Sequence, residues 1–223
     1  MDEEFLKVLF IFFIGVILGC FVGYSLTKIY LLQPYLKTEI SDIEMILIFF
    51  RSSFIATFLC YAGAVFSLGE IWFYRRVSKK IYELLNKPWN LLRSLIFTLN
   101  VSERNAPYDS LHTLLFLTPT GGCVVIGLVF GVYLSIFSLK FGMLGMRMFF
   151  YGIFPHTFIE VPCYLISASL GLKIAKNLER MLGKKLQSFE GAVYNELNNS
   201  ETLNKMVILY ILLILSAFME KFY

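Results

Sequence analysis

Val8-Leu9-Phe10-Ile11-Phe12-Phe13-Ile14-Gly15-Val16-Ile17-Leu18-Gly19-Cys20-Phe21-Val22-Gly23-Tyr24-Ser25-Leu26-Thr27 carries no charged residue. Roughly 20 apolar residues cross the hydrocarbon core of a bilayer as a helix, so this stretch predicts a membrane span. A cleaved leader would have a basic start, a shorter apolar run and an Ala-x-Ala site. Here the start is Met1-Asp2-Glu3-Glu4, the run is long, and no such site follows. The stretch is therefore expected to stay as a permanent span.

Working outward, four more apolar runs follow. The expected spans are 8–27, 46–71, 114–139, 148–172 and 206–222. The last has an uninterrupted apolar core of only about 14 residues, a length that also suits a re-entrant or interfacial piece. The chain has 223 residues, 57% of them apolar and 16% charged, against about 25% charged in a soluble domain. The expected fold is all-α, a polytopic transmembrane helix bundle forming a single transmembrane domain over residues 1–223.

Lys and Arg set the expected orientation. Lys7, the loop after the second span (Arg75, Arg76, Lys79, Lys80, Lys87, Arg93, Arg104) and the loop after the fourth (Lys173, Lys176, Arg180, Lys184, Lys185, Lys205) place 14 on one side. Lys28, Lys37, Lys140, Arg147 and Lys221 place five on the other, and Arg51 lies inside the second span. This predicts a multi-pass protein of the cell (plasma) membrane with a cytoplasmic N-terminus and an outside C-terminus. The net charge of +4 then reads as headgroup attraction, not as nucleic-acid binding. Expected partners are the lipid bilayer and a membrane protein or a second copy of the chain.

Both inner loops carry amphipathic patterns. Ile81, Leu84, Leu85, Trp89, Leu92, Leu95, Ile96 and Leu99 recur at helical steps, broken near Pro88. Leu178, Leu182, Leu186, Phe189, Val193 and Leu197 do the same, and are expected to continue the fourth span, with Gly183 and Gly191 as weak points. Such interfacial helices either rest on lipid or present a docking face.

Small residues four apart let membrane helices approach closely. Gly15, Gly19 and Gly23 in the first span, Gly127 and Gly131 in the third, and Gly171 in the fourth are the expected helix-packing positions. Ala56, Cys60 and Ala64 repeat the spacing in the second. The four cysteines lie in four different runs without CxxC spacing, so neither a zinc site nor a redox pair is expected. Thr118-Pro119-Thr120-Gly121-Gly122 is expected to break or bend the third span.

The fourth run contains Phe154-Pro155-His156-Thr157-Phe158-Ile159-Glu160-Val161-Pro162. A carboxylate at membrane depth is costly and marks a site, a pathway or a buried partner. Pro155 and Pro162 are expected helix breakers, each freeing a backbone carbonyl. His156 and Glu160 are four apart and share a helix face. Two geometries fit: one kinked helix from about Met148, with Glu160 near mid-membrane, or a re-entrant 141–153 piece with a new helix at Pro155. Arg51 is the expected partner at similar depth. His156, Glu160 and Arg51 thus form the candidate intramembrane polar site, either as an Arg51–Glu160 brace or as a proton- or ion-handling carboxylate. Two ligands at usable spacing do not make a metal site. No nucleophilic, hydrolytic or phosphate-binding motif occurs, so no catalytic residue, enzyme activity or cofactor is expected.

The run Pro155-His156-x-x-x-Glu160-x-Pro162, followed by small residues to Gly171-Leu172, resembles the signature of the stage II sporulation protein M family. Gly127-x-x-x-Gly131 resembles that family's glycine-rich span. Thr157 stands where members usually have glycine. The resemblance implies a five-span integral membrane protein. One sporulation member of the family recruits cell-wall hydrolases, and the expected role here is a non-enzymatic scaffold or assembly component of a membrane complex, in envelope remodelling or sporulation. The alternative is a channel or permease component moving ions or protons through Glu160 and His156.

Overall fold

Five helices of the computed structural model are long and apolar enough to cross a membrane. The structure describes residues 3–29, 42–77, 108–148, 154–181 and 186–222. In chain order the helices are α1 (Glu3–Ile29), α2 (Asp42–Arg76), α3 (Tyr108–Met148), α4 (Phe154–Glu179), α5 (Leu186–Leu197) and α6 (Ser200–Phe222). The short apolar core of the fifth run rides on the 23-residue α6, about 35 Å long at 1.5 Å per residue.

The helices alternate in direction, as their register shows. Gly15, Gly19 and Gly23 of α1 meet Val124, Leu128 and Val132 of α3, so these two run parallel. Leu59 and Gly63 of α2 meet Gly122 and Leu115 of α3, which is antiparallel. Ser52 and Leu59 of α2 meet Glu160 and Gly171 of α4, which is parallel. Ser167 and Lys173 of α4 face Met206 and Glu201 of α6, again antiparallel. With α1, α3 and α6 running one way and α2 and α4 the other, α1 begins and α6 ends at opposite ends of the bundle.

At its glycines the α1–α3 seam is built from backbone. A Cβ added at Gly15 or Gly19 would overlap the carbonyl of Val124 or Leu128, and one at Gly127 or Gly131 would overlap that of Phe12 or Val16. The backbones are therefore in direct contact, the arrangement that dispersion and Cα–H···O contacts favour in lipid. Phe10, Phe13, Ile17 and Phe21 of α1 are exposed away from the seam, as lipid-facing residues are.

At the centre stands α4, which touches every other helix. Its membrane window is 61% buried, against 22–33% for the other spans. Small residues make this possible: Ser167 and Ala168 are fully buried, and Gly171 abuts the Leu59 carbonyl with Pro119 3.3 Å from where its Cβ would sit.

Pro119 does not break α3, which keeps helical dihedrals there. Proline lacks the N–H that would bond the carbonyl four residues back, here that of Leu115. Gly63 packs onto that oxygen, with a built Cβ only 2.9 Å away. Thr118 and Thr120 cap the carbonyls of Leu114 and Phe116 at 3.0 and 2.6 Å, the local satisfaction that lipid demands.

The break comes later, at Gly142 (φ 53°, ψ −133°), a left-handed conformation open to glycine because it has no Cβ. Beyond it Gly145 abuts the Phe137 carbonyl. Eight residues along a straight helix would separate them by about 12 Å, so the end of α3 folds back along itself. The expected start of the fourth span at Met148 is thus corrected: Met148 belongs to α3, and the next helix begins at Phe154.

The second amphipathic pattern also needs correction. It does not continue α4, which ends at Glu179 with a turn closed by the Met181 N–H on the Leu178 carbonyl at 2.9 Å. Nor does its apolar face rest on lipid. Phe189 and Val193 of α5 are fully buried against the bundle, and α5 packs on α2 and α4. Arg75 of α2 holds Glu190 at 2.9 Å, and Asn177 of α4 holds Glu196 at 3.0 Å. Gly191 lies within the helix. The first amphipathic pattern, 81–99, lies outside the described residues, as do the backbone of Gly183 and its neighbours.

Candidate functional site

Glu160 sits on α4 less than two turns from its start, and is only 7% exposed. Pro155 is the second residue of that helix, where its missing N–H costs nothing. Pro162 does not end the helix, which runs on to Glu179. His156 lies in the first turn, one turn before Glu160; its side chain, like that of Pro155, lies outside the described ones.

The hydroxyl that meets the carboxylate belongs to Ser52 of α2. Its Oγ donates to Glu160 Oε1 at 2.5 Å, and Ser52 is fully buried. That length is at the short end of the range for an O–H···O bond. Arg51, the preceding residue, lies on the exposed side of α2, since neighbours on a helix point about 100° apart. Tyr164, one turn beyond Glu160 and 6% exposed, is within electrostatic reach of Glu160, Ser52 and Arg51. The sequence-predicted Arg51 and Glu160 thus lie in one neighbourhood, with a neutral donor from Ser52 directly on the carboxylate.

Ser52 was legible in principle. Ser52, Ala56, Cys60 and Ala64 form one stripe at four-residue steps, and all four are buried. The small-residue pattern in the second span therefore runs one step further, to the residue that supplies the hydrogen bond. A second polar contact extends the neighbourhood toward α6: Thr57 Oγ1 and the Tyr210 hydroxyl are 2.8 Å apart. Nothing in the linear spacing pointed to Tyr210.

At the other end of α4 lies a polar collar. Lys176 pairs with Glu4 of α1, which is 6% exposed, and Glu179 meets His112 Nε2 of α3 at 3.1 Å. The Arg75–Glu190 and Asn177–Glu196 contacts join α5 to this layer. From Glu179 to Glu160 is 19 residues, about 29 Å along the helix. Apolar residues of α1, α2 and α3 continue past the level of Glu160. The carboxylate therefore lies in the half of the span nearer the start of α4, not at its middle.

Chemically, the Glu160–Ser52 contact is a tie between two parallel helices, made by a group that lipid cannot solvate. Among the described residues no cluster of His, Cys, Asp and Glu is placed to hold a metal. The family model for stage II sporulation protein M matches residues 111–223. That match takes in α3 to α6 with Glu160, but not Ser52 or Arg51. No curated protein and no solved structure matches the chain.

Proposed function

The chain belongs to the stage II sporulation protein M family, and from that premise we propose that it is a non-enzymatic scaffold, an assembly component of a membrane complex. The family name suggests envelope remodelling or sporulation as its setting. One observation carries the reading: polar side chains fasten helix to helix in both halves of the bundle. Glu160 is tied to Ser52 in one half, and Lys176–Glu4, His112–Glu179 and Arg75–Glu190 lie in the other. A frame braced in this way suits a platform that holds partners in place. In the proposed orientation the collar is cytoplasmic and the C-terminus outside, because basic residues concentrate in the loops at the collar end.

The test is purification of the full chain in mild detergent from its native membrane, alongside reconstitution in liposomes. The scaffold reading expects a stoichiometric membrane or envelope partner and no ion flux above empty vesicles. A second reading rests on the burial of Glu160 one turn from His156: a channel or permease component in which that carboxylate handles protons or ions. A proton or cation flux abolished by Glu160→Gln would overturn the scaffold and establish the second reading.

A further inference from the structure

Between α2 and α3 lies an open groove of about 1040 Å³. Its walls are almost wholly apolar, with Phe54, Phe58 and Phe66 from α2 facing Leu117 and Val125 from α3. The volume lies at the upper end of the range for small-molecule sites, about 300–1,000 Å³. Along α2 the groove runs from Phe54 to Glu70, some 24 Å by helical rise, more than one leaflet's share of a core about 30 Å thick. Its floor is widened by two glycines. A Cβ at Gly69 would meet nothing within 4 Å, and one at Gly121 would meet only Leu117 Cδ1 at 3.8 Å. These glycines leave room, unlike those in the α1–α3 seam.

The collar end of the groove has charge. Arg76 follows Gly69 by two turns and lies on nearly the same face of α2, about 10 Å further along. Its guanidinium sits over the Trp72 ring, 4.5 Å from the centroid, and both residues are exposed. A tryptophan and an arginine stacked where a span ends form a headgroup-level anchor. The neighbouring Arg75 is engaged by Glu190 at 2.9 Å, and Arg76 is not on that contact.

We propose that the part of the α2–α3 groove nearer Arg76 is a binding site for one anionic diacyl phospholipid, with an acyl chain along Phe66 toward Phe58 and its phosphate on Arg76. The leaflet is the one at the Arg76 end. The site adds a lipid dependence that neither the scaffold nor the permease reading requires.

Native mass spectrometry of the full chain in mild detergent tests this, with phosphatidylglycerol or phosphatidylcholine titrated in. The expected result is one retained phosphatidylglycerol, bound at least fivefold more tightly than phosphatidylcholine. Gly69→Phe with Gly121→Phe fills the groove where there is room and should weaken that binding at least tenfold. Leu117→Trp, at a lining residue nearer the Arg76 end, is the second filler should the pair not fold. Arg76→Gln should bring the two lipids within twofold of each other while leaving phosphatidylcholine binding in place. Undiminished binding in a folded filler variant overturns the site, as does a wild type that retains no lipid. A wild-type dimer lost on filling the groove would assign it to a second copy and also overturn the proposal. An unchanged lipid preference in Arg76→Gln overturns the phosphate assignment.

Discussion

Glycine-to-alanine exchange at two helical positions should move stability in opposite directions. At Gly19, in the middle of the α1–α3 seam, the added methyl would overlap the Leu128 carbonyl, with its Cα 2.9 Å away. Both are backbone atoms, so no rotamer change relieves the contact and the helices must separate. The flanking contacts, Gly15 on Val124 and Gly23 on Val132, lie about 6 Å to either side and open with it. Overpacking of this kind costs about 1–3 kcal/mol, and alanine's better helix propensity returns at most about 1 kcal/mol. Gly19→Ala should therefore be destabilising by up to about 2 kcal/mol even with the full propensity gain returned, and Gly19→Leu by more. At Gly191 in α5 the same methyl meets nothing within 4 Å, which leaves only the propensity gain of up to about 1 kcal/mol. Thermal denaturation in one detergent, followed by size-exclusion recovery, should show Gly19→Ala below wild type and Gly191→Ala at or above it. Leu18→Ala, at a position 47% exposed, is the mild control within α1. If Gly19→Ala matched Gly191→Ala, the direct backbone contact between α1 and α3 would be refuted.

Ser52→Ala leaves the Glu160 carboxylate short of a donor and should cost about 1–3 kcal/mol, while the double change Ser52→Ala/Glu160→Leu should recover part of the loss from Glu160→Leu alone. Additive losses in that cycle would show that the two groups do not act as a pair. In α5, Phe189→Ala should cost about 3–5 kcal/mol because the ring is fully buried. Glu190→Gln should cost no more than about 1 kcal/mol, since its bridge to Arg75 is a third or more exposed on both sides. Limited proteolysis of the α5 region distinguishes them, and equal protection in both variants would contradict the packing described for α5. For orientation, a reporter active only outside the cytoplasm should be active when fused after Tyr223 and silent when fused before Met1. The reverse pattern would invert the assignment drawn from the basic residues.

The span pattern was legible in the chain because lipid imposes it: backbone groups must be satisfied within each helix, so crossings appear as long apolar runs. The glycines at 15, 19, 23, 127 and 131 were legible as contact positions because their four-residue spacing defines a helix face. That Gly15 would meet Val124, or that α1 and α3 would run parallel in direct contact, was not, since one helix's spacing carries no information about its partner. Glu160 stood out through its charge in an apolar run. Its hydrogen-bond donor was legible only as one more step of the Ala56, Cys60 and Ala64 stripe, and the packing of α2 on α4 decides that Ser52 is buried against it while the neighbouring Arg51 is exposed. Docking of α5 on α2 and α4 buries Phe189 and Val193, whose amphipathic pattern reads equally well as a lipid-resting helix. The break at Gly142 depended on tertiary structure for a related reason. Pro119 carries the stronger local signal for a kink, yet Gly63 from a neighbouring helix packs onto the carbonyl that the proline leaves free. Membrane class and span content are properties of one chain against its solvent, which sequence encodes directly. The Ser52–Glu160 tie, the collar and the groove are properties of helices against one another, and packing alone decides them.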